Sequence, residues 1–148
     1  MTQSEIEDYI REFNDVQSAE NFGYRFFFVG EDHLIPFVSI ADSDNEYDSV
    51  SNLNRDGIFR INIGVGRETF QSLTQRFDSE AIDYTAVNSF LPHPDYSSQH
   101  FICILNPSGE NAETTKTLIA EAYTLAAARL ERKKLAREKS NSNTPDSQ

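Results

Sequence analysis

Four acidic side chains at alternate positions of the sequence could supply oxygen ligands to a calcium ion: Asp42, Asp44, Glu46 and Asp48. Their spacing matches the first four ligand positions of a calcium-binding loop. The sixth position is Tyr47, where the loop needs glycine, and the twelfth is Leu53, where it needs a bidentate glutamate. We interpret the segment as a solvated acidic loop, with a weak cation site as the alternative, and we predict no metal site.

A second metal-ligand pattern consists of His93, Asp95 and His100, which offer two imidazoles and one carboxylate. Pro92 and Pro94 bracket the first histidine and stiffen the chain, so the three side chains are hard to bring together. We interpret the two histidines as parts of a turn and of the start of a strand. No metal ion is predicted here either.

Two glycines, Gly64 and Gly66, precede a helical pattern and could form a phosphate-binding loop, because the amides at a helix start can hold an anion. The third glycine of the dinucleotide-binding fingerprint is replaced by Thr69, and no Walker lysine follows. We interpret the glycines as turn formers and predict no cofactor. Arg67 nevertheless stands where it could bind a small carboxylate or phosphate.

No side chain is marked as a nucleophile by its sequence context. The one cysteine, Cys103, lies between Ile102 and Ile104, which predicts a buried, reduced thiol. No serine occupies the glycine-flanked turn of a serine hydrolase, and nothing marks a base beside a serine. We predict no catalytic residue and favour a protein that is not an enzyme.

Arg60 and Asn62 belong to the clearest strand pattern of the chain, in which polar and apolar side chains alternate from residue 59 to 65. The alternation places both on the face opposite Ile61. One interpretation is a solvated sheet face. Our hypothesis is that residues 91–100 fold over this face and form a polar cleft. The predicted ligand-binding residues are Arg60, Asn62, Arg67, His93, Tyr96 and His100.

The elements that must position these residues follow from the apolar periodicity. Thr2 and Glu5 form a capping-box pattern before a first helix, a second helix follows Gly66, and a long third helix begins near Asn111. Four segments predict strands: residues 24–29, 34–41, 59–65 and 101–105. Because several strands are consecutive, we predict an α+β fold with a mostly antiparallel sheet of about four strands, helices on one side and a long C-terminal helix.

The last predicted helix loses its apolar stripe beyond Leu130. The final residues, 140–148, are polar and contain too few apolar side chains to form a packed core. We therefore predict a single α+β domain over residues 1–130, followed over residues 131–148 by a charged helical extension and a disordered tail.

Charge is distributed unevenly along the chain of 148 residues, whose formal net charge is −11. Residues 129–139 carry six cations and two anions, whereas residues 1–128 carry seven cations and twenty-one anions. Such an acidic body repels phosphate, so binding to nucleic acid or to an anionic membrane is disfavoured. No apolar run is long enough to span a membrane and no secretory signal opens the sequence, which predicts a cytoplasmic protein.

Several segments resemble a mostly bacterial family of unknown function: residues 55–65, 67–70, 91–96 and 105–107. With the alanine-rich last helix, the resemblance covers roughly residues 3–130 and implies no known activity. More distantly, the order of elements is similar to that of the MmcQ/YjbR-like family, which has a small α+β fold. This second resemblance implies DNA binding as a candidate function, because that fold resembles a DNA-binding phage transcription-factor domain.

The leading hypothesis is a cytoplasmic, non-catalytic binding module for a small anionic ligand or a protein partner, which acts through the predicted ligand-binding residues. One alternative is a nucleic-acid-binding protein that acts through residues 129–139. The other is an enzyme of unknown hydrolytic type. The oligomeric state stays open.

Overall fold

The computed structural model of the protein describes residues 1–77 and 81–142. Its helices are α1 (Gln3–Arg11), α2 (Arg67–Thr74) and α3 (Gly109–Ser142). Its strands are β1 (Val16–Asn21), β2 (Tyr24–Val29), β3 (Val38–Ala41), β4 (Arg60–Gly64), β5 (Leu91–Pro92) and β6 (Phe101–Leu105). Short 3₁₀ turns occupy Gln75–Phe77 and Ser97–Gln99.

The strands form one antiparallel sheet in the order β1-β2-β3-β4-β6-β5. The prediction of an α+β fold with an antiparallel sheet and a long C-terminal helix is confirmed. The prediction of about four strands is wrong, because the described residues contain six. The two additional strands, β1 and β5, lie at the two edges of the sheet.

The edge strands lack the patterns by which strands are recognised in a sequence. β1 consists mainly of polar side chains and is largely exposed, so it has no apolar alternation. It forms because Phe22 and Gly23, both with positive φ, make a tight turn between β1 and β2. This turn allows all six residues of β1 to pair with β2. β5 has only two residues, one of them a proline, and pairs with β6.

One face of the sheet carries the hydrophobic core. Cross-strand neighbours Phe27, Val38, Ile63 and Ile102 form a continuous row on this face. The row packs against buried side chains of α1 and α3, including Ile6, Ile10, Leu118, Ile119 and Ala122. α1 begins as the capping pattern predicts, since Thr2 Oγ1 accepts a hydrogen bond from the Glu5 amide at 3.1 Å.

The opposite face carries a row of different composition, set by the same strand register. Phe26 of β2 is paired with Ser39 of β3, Ser39 with Asn62 of β4, Asn62 with Cys103 of β6, and Cys103 with Leu91 of β5. Ser39 and Asn62 are smaller than their aromatic neighbours, so the middle of this face is depressed. Arg60 and Asn62 share this face, opposite Ile61, as the alternation predicts.

α3 continues to Ser142, so residues 140–142 of the predicted tail are helical. The remainder of that tail, residues 143–148, lies outside the described residues. In the part of the chain that the structure describes, no helix has both the length and the apolar character that a membrane crossing requires.

Candidate functional site

A cavity of about 640 Å³ opens over the depressed middle of the sheet, on the face that the helices do not cover. We call it the sheet-face groove. Tyr24 and Phe26 of β2 form one wall, with their rings stacked at a centroid distance of 5.4 Å. Phe101 and the segment that begins at His93 form the other wall. Five large apolar side chains on the rim remain 56–78% exposed: Phe22, Leu34, Ile35, Tyr47 and Tyr96.

Beneath the groove, Arg60 is fully buried and forms an ion pair with Asp48. Its Nη1 donates to Asp48 Oδ1 at 3.2 Å and to Ser51 Oγ at 3.0 Å, and its Nη2 donates to Asp48 Oδ2. Its Nε donates to Asn62 Oδ1 at 3.0 Å. The guanidinium is therefore neutralised and hydrogen-bonded by the protein itself, as a buried charge must be.

Asp48 is the carboxylate that makes burial of this arginine possible. Burial raises the pKa of its carboxyl, but hydrogen bonds from Arg60 and Tyr24 outweigh that effect and hold the pKa below its usual value. The Tyr24 hydroxyl donates to Asp48 Oδ2, and burial together with this carboxylate raises the pKa of Tyr24 to about 12. Asp48 is thus ionised and Tyr24 is protonated at neutral pH.

Asn62 links the ion pair to the floor of the groove. Its Oδ1 accepts from Arg60, and its Nδ2 donates to Ser39 Oγ at 3.1 Å. Both Asn62 and Ser39 are buried and line the groove. A ligand that enters the groove therefore meets neutral amide and hydroxyl groups in front of Arg60, beside the Asp48 carboxylate that also lines the groove.

His93 is the most unusual polar group of the groove, because only one of its ring nitrogens is used by the protein. The side chain is 5% exposed, and Nδ1 accepts hydrogen bonds from the amides of Asp95 at 3.0 Å and Tyr96 at 3.1 Å. In the neutral ring the proton is therefore on Nε2. Burial, with a smaller effect of Arg60, lowers the pKa of His93 to about 4, so the ring is neutral at physiological pH.

The other ring nitrogen of His93, Nε2, is not used by the described part of the protein. No described residue hydrogen-bonds this atom, whereas every fully buried side-chain nitrogen or oxygen of the described residues has a hydrogen-bond partner. Nε2 is therefore not fully buried, and His93 lines the groove. The ring of Tyr96 lies against the imidazole at a centroid distance of 5.0 Å and forms the adjacent rim. The arrangement presents one neutral N–H donor within largely apolar walls.

The structure brings together only part of the residue set predicted from the sequence. Asn62, His93 and Tyr96 line the groove, and Arg60 lies directly beneath Asn62. The side chain of His100 packs instead against Phe70, at a ring centroid distance of 5.5 Å. Neither His100 nor Arg67 lines the groove.

Arg67 is the exposed first residue of α2, and the possible anion site at this helix start is occupied by the protein itself. Glu121 Oε2 accepts from the Gly66 amide at 2.8 Å, and Glu121 Oε1 accepts from Thr69 Oγ1 at 2.9 Å. A side-chain carboxylate from α3 thus satisfies the groups that would otherwise hold a phosphate.

Three of the four acidic side chains of the predicted loop each form a different contact within the protein. Asp42 accepts from Gln3, Asp44 accepts from the Leu53 amide at 2.8 Å, and Asp48 pairs with Arg60. Among the described residues, no three histidine, cysteine, aspartate or glutamate side chains are grouped so that they could hold a metal ion.

Cys103 lies on the groove side of the sheet but is fully buried beneath it. Burial raises the pKa of its thiol to about 12, so the reactive thiolate does not form at neutral pH. The groove contains a neutral imidazole and a protonated phenol, but this thiol is not a nucleophile that they could activate.

Sequence reasoning missed the ion-pair partner Asp48 and most of the apolar rim. The sequence pattern places Asp48 in a solvated loop, although a strand arginine flanked by core residues requires a nearby carboxylate if it is buried. It places Leu34 and Ile35 at the start of a strand, whereas β3 begins at Val38, after Pro36. The conflict between Pro36 and a strand ladder was the signal that could have identified a loop there.

The chain belongs to a family of unknown function, DUF6194, which matches residues 1–135. No curated protein and no solved structure matches the chain.

Proposed function

We propose that the protein is a binding module that holds a small, mainly apolar molecule in the sheet-face groove. The observation that carries the proposal is a cavity of about 640 Å³ whose rim of large apolar side chains is left in water. Cavities of roughly 300–1,000 Å³ with apolar walls and a few polar groups are typical of small-molecule sites. A bound molecule would remove the exposed rim from water, which is favourable in proportion to the apolar area covered.

A small molecule fits the groove better than a folded protein partner does, because the polar groups of the groove lie well below its rim. Ser39, Asn62 and His93 are buried at the floor and wall, below the exposed rim. A narrow ligand can reach them between the aromatic walls, whereas a flat protein surface would contact mainly the rim. A protein partner remains the alternative occupant.

The anionic ligand suggested by the sequence depended on Arg60 and Arg67. The charge of Arg60 is balanced by Asp48, and Arg67 lies outside the groove. Among the described residues that line the groove, Arg129 of α3 is the one with a full positive charge. An anionic ligand would therefore have to place its charge at Arg129.

The proposal is tested with prodan, a neutral naphthalene dye whose fluorescence increases in apolar surroundings. The double variant Leu34→Ser/Ile35→Ser removes two exposed aliphatic side chains from the rim. The matched control Val87→Ser/Leu135→Ser removes two aliphatic side chains of similar exposure elsewhere on the surface. Because all four side chains are exposed, both variants should fold.

We expect saturable binding of prodan that is at least about tenfold weaker in the rim variant, since covering even one of the two aliphatic side chains is worth about 1.5 kcal/mol. The control variant should bind as the unmodified protein does. Equal affinities for all three proteins would show that the dye does not use the groove, and the absence of saturable binding to the unmodified protein would refute the proposal.

Two other functions remain hypotheses. Nucleic-acid binding is suggested only by the order of elements predicted from the sequence, which resembles that of the MmcQ/YjbR-like family. It would have to use the cations of residues 129–139, of which Lys133 is paired with Asp32 at 2.6 Å. A hydrolytic enzyme would need a nucleophile or an activated water in the groove. A cytoplasmic location likewise stays a prediction.

A further inference from the structure

We propose that His93 selects the ligand of the sheet-face groove by donating a hydrogen bond from Nε2 to an uncharged acceptor, such as a ketone, ester or amide carbonyl oxygen. The inference rests on the proposed function and adds to it the chemical class of the ligand: a neutral, mainly apolar molecule that carries a carbonyl group.

The first argument is the fixed direction of the hydrogen bond. The amides of Asp95 and Tyr96 both donate to His93 Nδ1, so this nitrogen cannot carry the proton of a neutral ring. Nε2 must carry it and can only donate. A hydrogen-bond acceptor on the ligand satisfies this group, whereas an N–H or O–H of the ligand would oppose it.

The second argument is that the donor is held in place before any ligand binds. His93 follows Pro92, the last residue of β5, and precedes Pro94, so the backbone on both sides is restricted. The His93 amide donates to the Phe101 carbonyl at 2.9 Å, which attaches the residue to β6. A donor held by the backbone in this way loses little conformational entropy when it binds an acceptor.

The third argument concerns the charge of the ligand. The groups that line the groove near His93 include the carboxylates of Asp48 and Asp95, and the positive charge of Arg60 is already paired with Asp48. Arg129 lies on the side of the groove away from His93, together with Leu34 and Ile35. These three residues also line an adjoining cavity of about 160 Å³. A ligand carboxylate at His93 would therefore be buried without a cation, which is costly, whereas a neutral carbonyl would not.

A matched pair of substitutions separates the binding role of His93 from its role in the turn. In His93→Asn, the amide oxygen takes the position of Nδ1 and can still accept from the Asp95 and Tyr96 amides, but no group reaches the position of Nε2. In His93→Gln, the side-chain amide reaches the position of Nε2, but the acceptor for the turn is lost. The ligand probes are prodan, which carries a ketone, and the naphthoic acid that has a carboxylate in place of that ketone.

We expect the unmodified protein to bind prodan more tightly than the naphthoic acid. His93→Asn should weaken prodan binding about threefold to tenfold, which is the net effect of one hydrogen bond. It should also shift the emission of bound prodan to the blue, because hydrogen bonding to the ketone shifts this emission to the red. His93→Gln should retain most of the affinity while lowering the thermal stability more than His93→Asn does.

Unchanged affinity and emission of prodan in His93→Asn, with binding still weakened by Leu34→Ser/Ile35→Ser, would overturn the role of His93 and leave the proposed function standing. Tighter binding of the naphthoic acid, lost in Arg129→Gln, would overturn it in favour of an anionic ligand. Absence of saturable binding of either probe to the unmodified protein would overturn both proposals together.

Discussion

The substitution Asp48→Asn should destabilise the protein strongly, because it removes the counter-charge of a fully buried arginine. Asparagine has nearly the same shape as aspartate, so packing in the loop is preserved. Its Oδ1 can still accept from Arg60 Nη1, while Ser51 and Asn62 keep their hydrogen bonds to the guanidinium. The interactions lost are the charge pairing and the two hydrogen bonds that Arg60 Nη2 and the Tyr24 hydroxyl donate to the second carboxylate oxygen.

Breaking a buried ion pair by removing one partner typically costs about 3–5 kcal/mol. Because three of the hydrogen bonds to Arg60 survive in the variant, we expect the lower end of this range, about 3 kcal/mol. That is a large fraction of the roughly 5–15 kcal/mol that stabilises a typical folded domain. Urea unfolding, followed by circular dichroism at pH 7, measures the difference directly.

Two further variants make the cause of the loss identifiable. Asp42→Asn removes an exposed carboxylate from the same loop and should change the free energy of unfolding by no more than about 0.5 kcal/mol. Arg60→Met in the Asp48→Asn background removes the uncompensated charge and should recover about 1–2 kcal/mol. A loss below 1 kcal/mol in Asp48→Asn, or a double variant no more stable than Asp48→Asn, would refute the reasoning.

Two other predictions follow from the perturbed pKa values on the groove side of the sheet. The pKa of His93 is lowered from 6.5 in the unfolded chain to about 4 in the folded protein. Between these two pH values the unfolded chain binds a proton at His93 and the folded protein does not. The free energy of unfolding should therefore fall by about 3 kcal/mol as the pH is lowered from 6.5 to 4. Urea titrations across this range should show a shallower pH dependence for His93→Asn, and an unchanged slope would contradict the assignment. Because burial raises the pKa of Cys103 to about 12, an aromatic disulfide reagent at pH 8 should react with its thiol only as the protein unfolds. A fast reaction under native conditions, without added denaturant, would contradict the buried position.

The parts of the fold that sequence analysis predicted are those determined by neighbouring residues. The alternation around Arg60, Ile61 and Asn62 identified β4 and assigned each side chain to the correct face. The capping pattern at Thr2 identified the start of α1. In both cases the signal lies within a few residues, since the periods of a strand and a helix are short.

The edge strands could not be predicted in the same way, because tertiary pairing forms them. β1 has polar side chains and becomes a strand through its turn and its six pairs with β2. β5 is too short to show a period. Tertiary context of this kind overrides local preference most easily at the edges of a sheet, where one side of a strand has no partner and burial is incomplete.

For the candidate site, the sequence by itself determined the types of chemical group and, for Arg60 and Asn62, the face on which they lie. Only the tertiary structure decided what those groups can do. It brought Asp48, from the loop that precedes β4, onto Arg60 and so removed a positive charge that the sequence offered to a ligand. It also placed His93 in the wall of the groove with one ring nitrogen bound to the backbone and the other without a partner among the described residues. The physical reason is that charge balance and hydrogen-bond direction depend on distances of a few ångströms between particular atoms, and the apolar periodicity of a sequence does not record those distances.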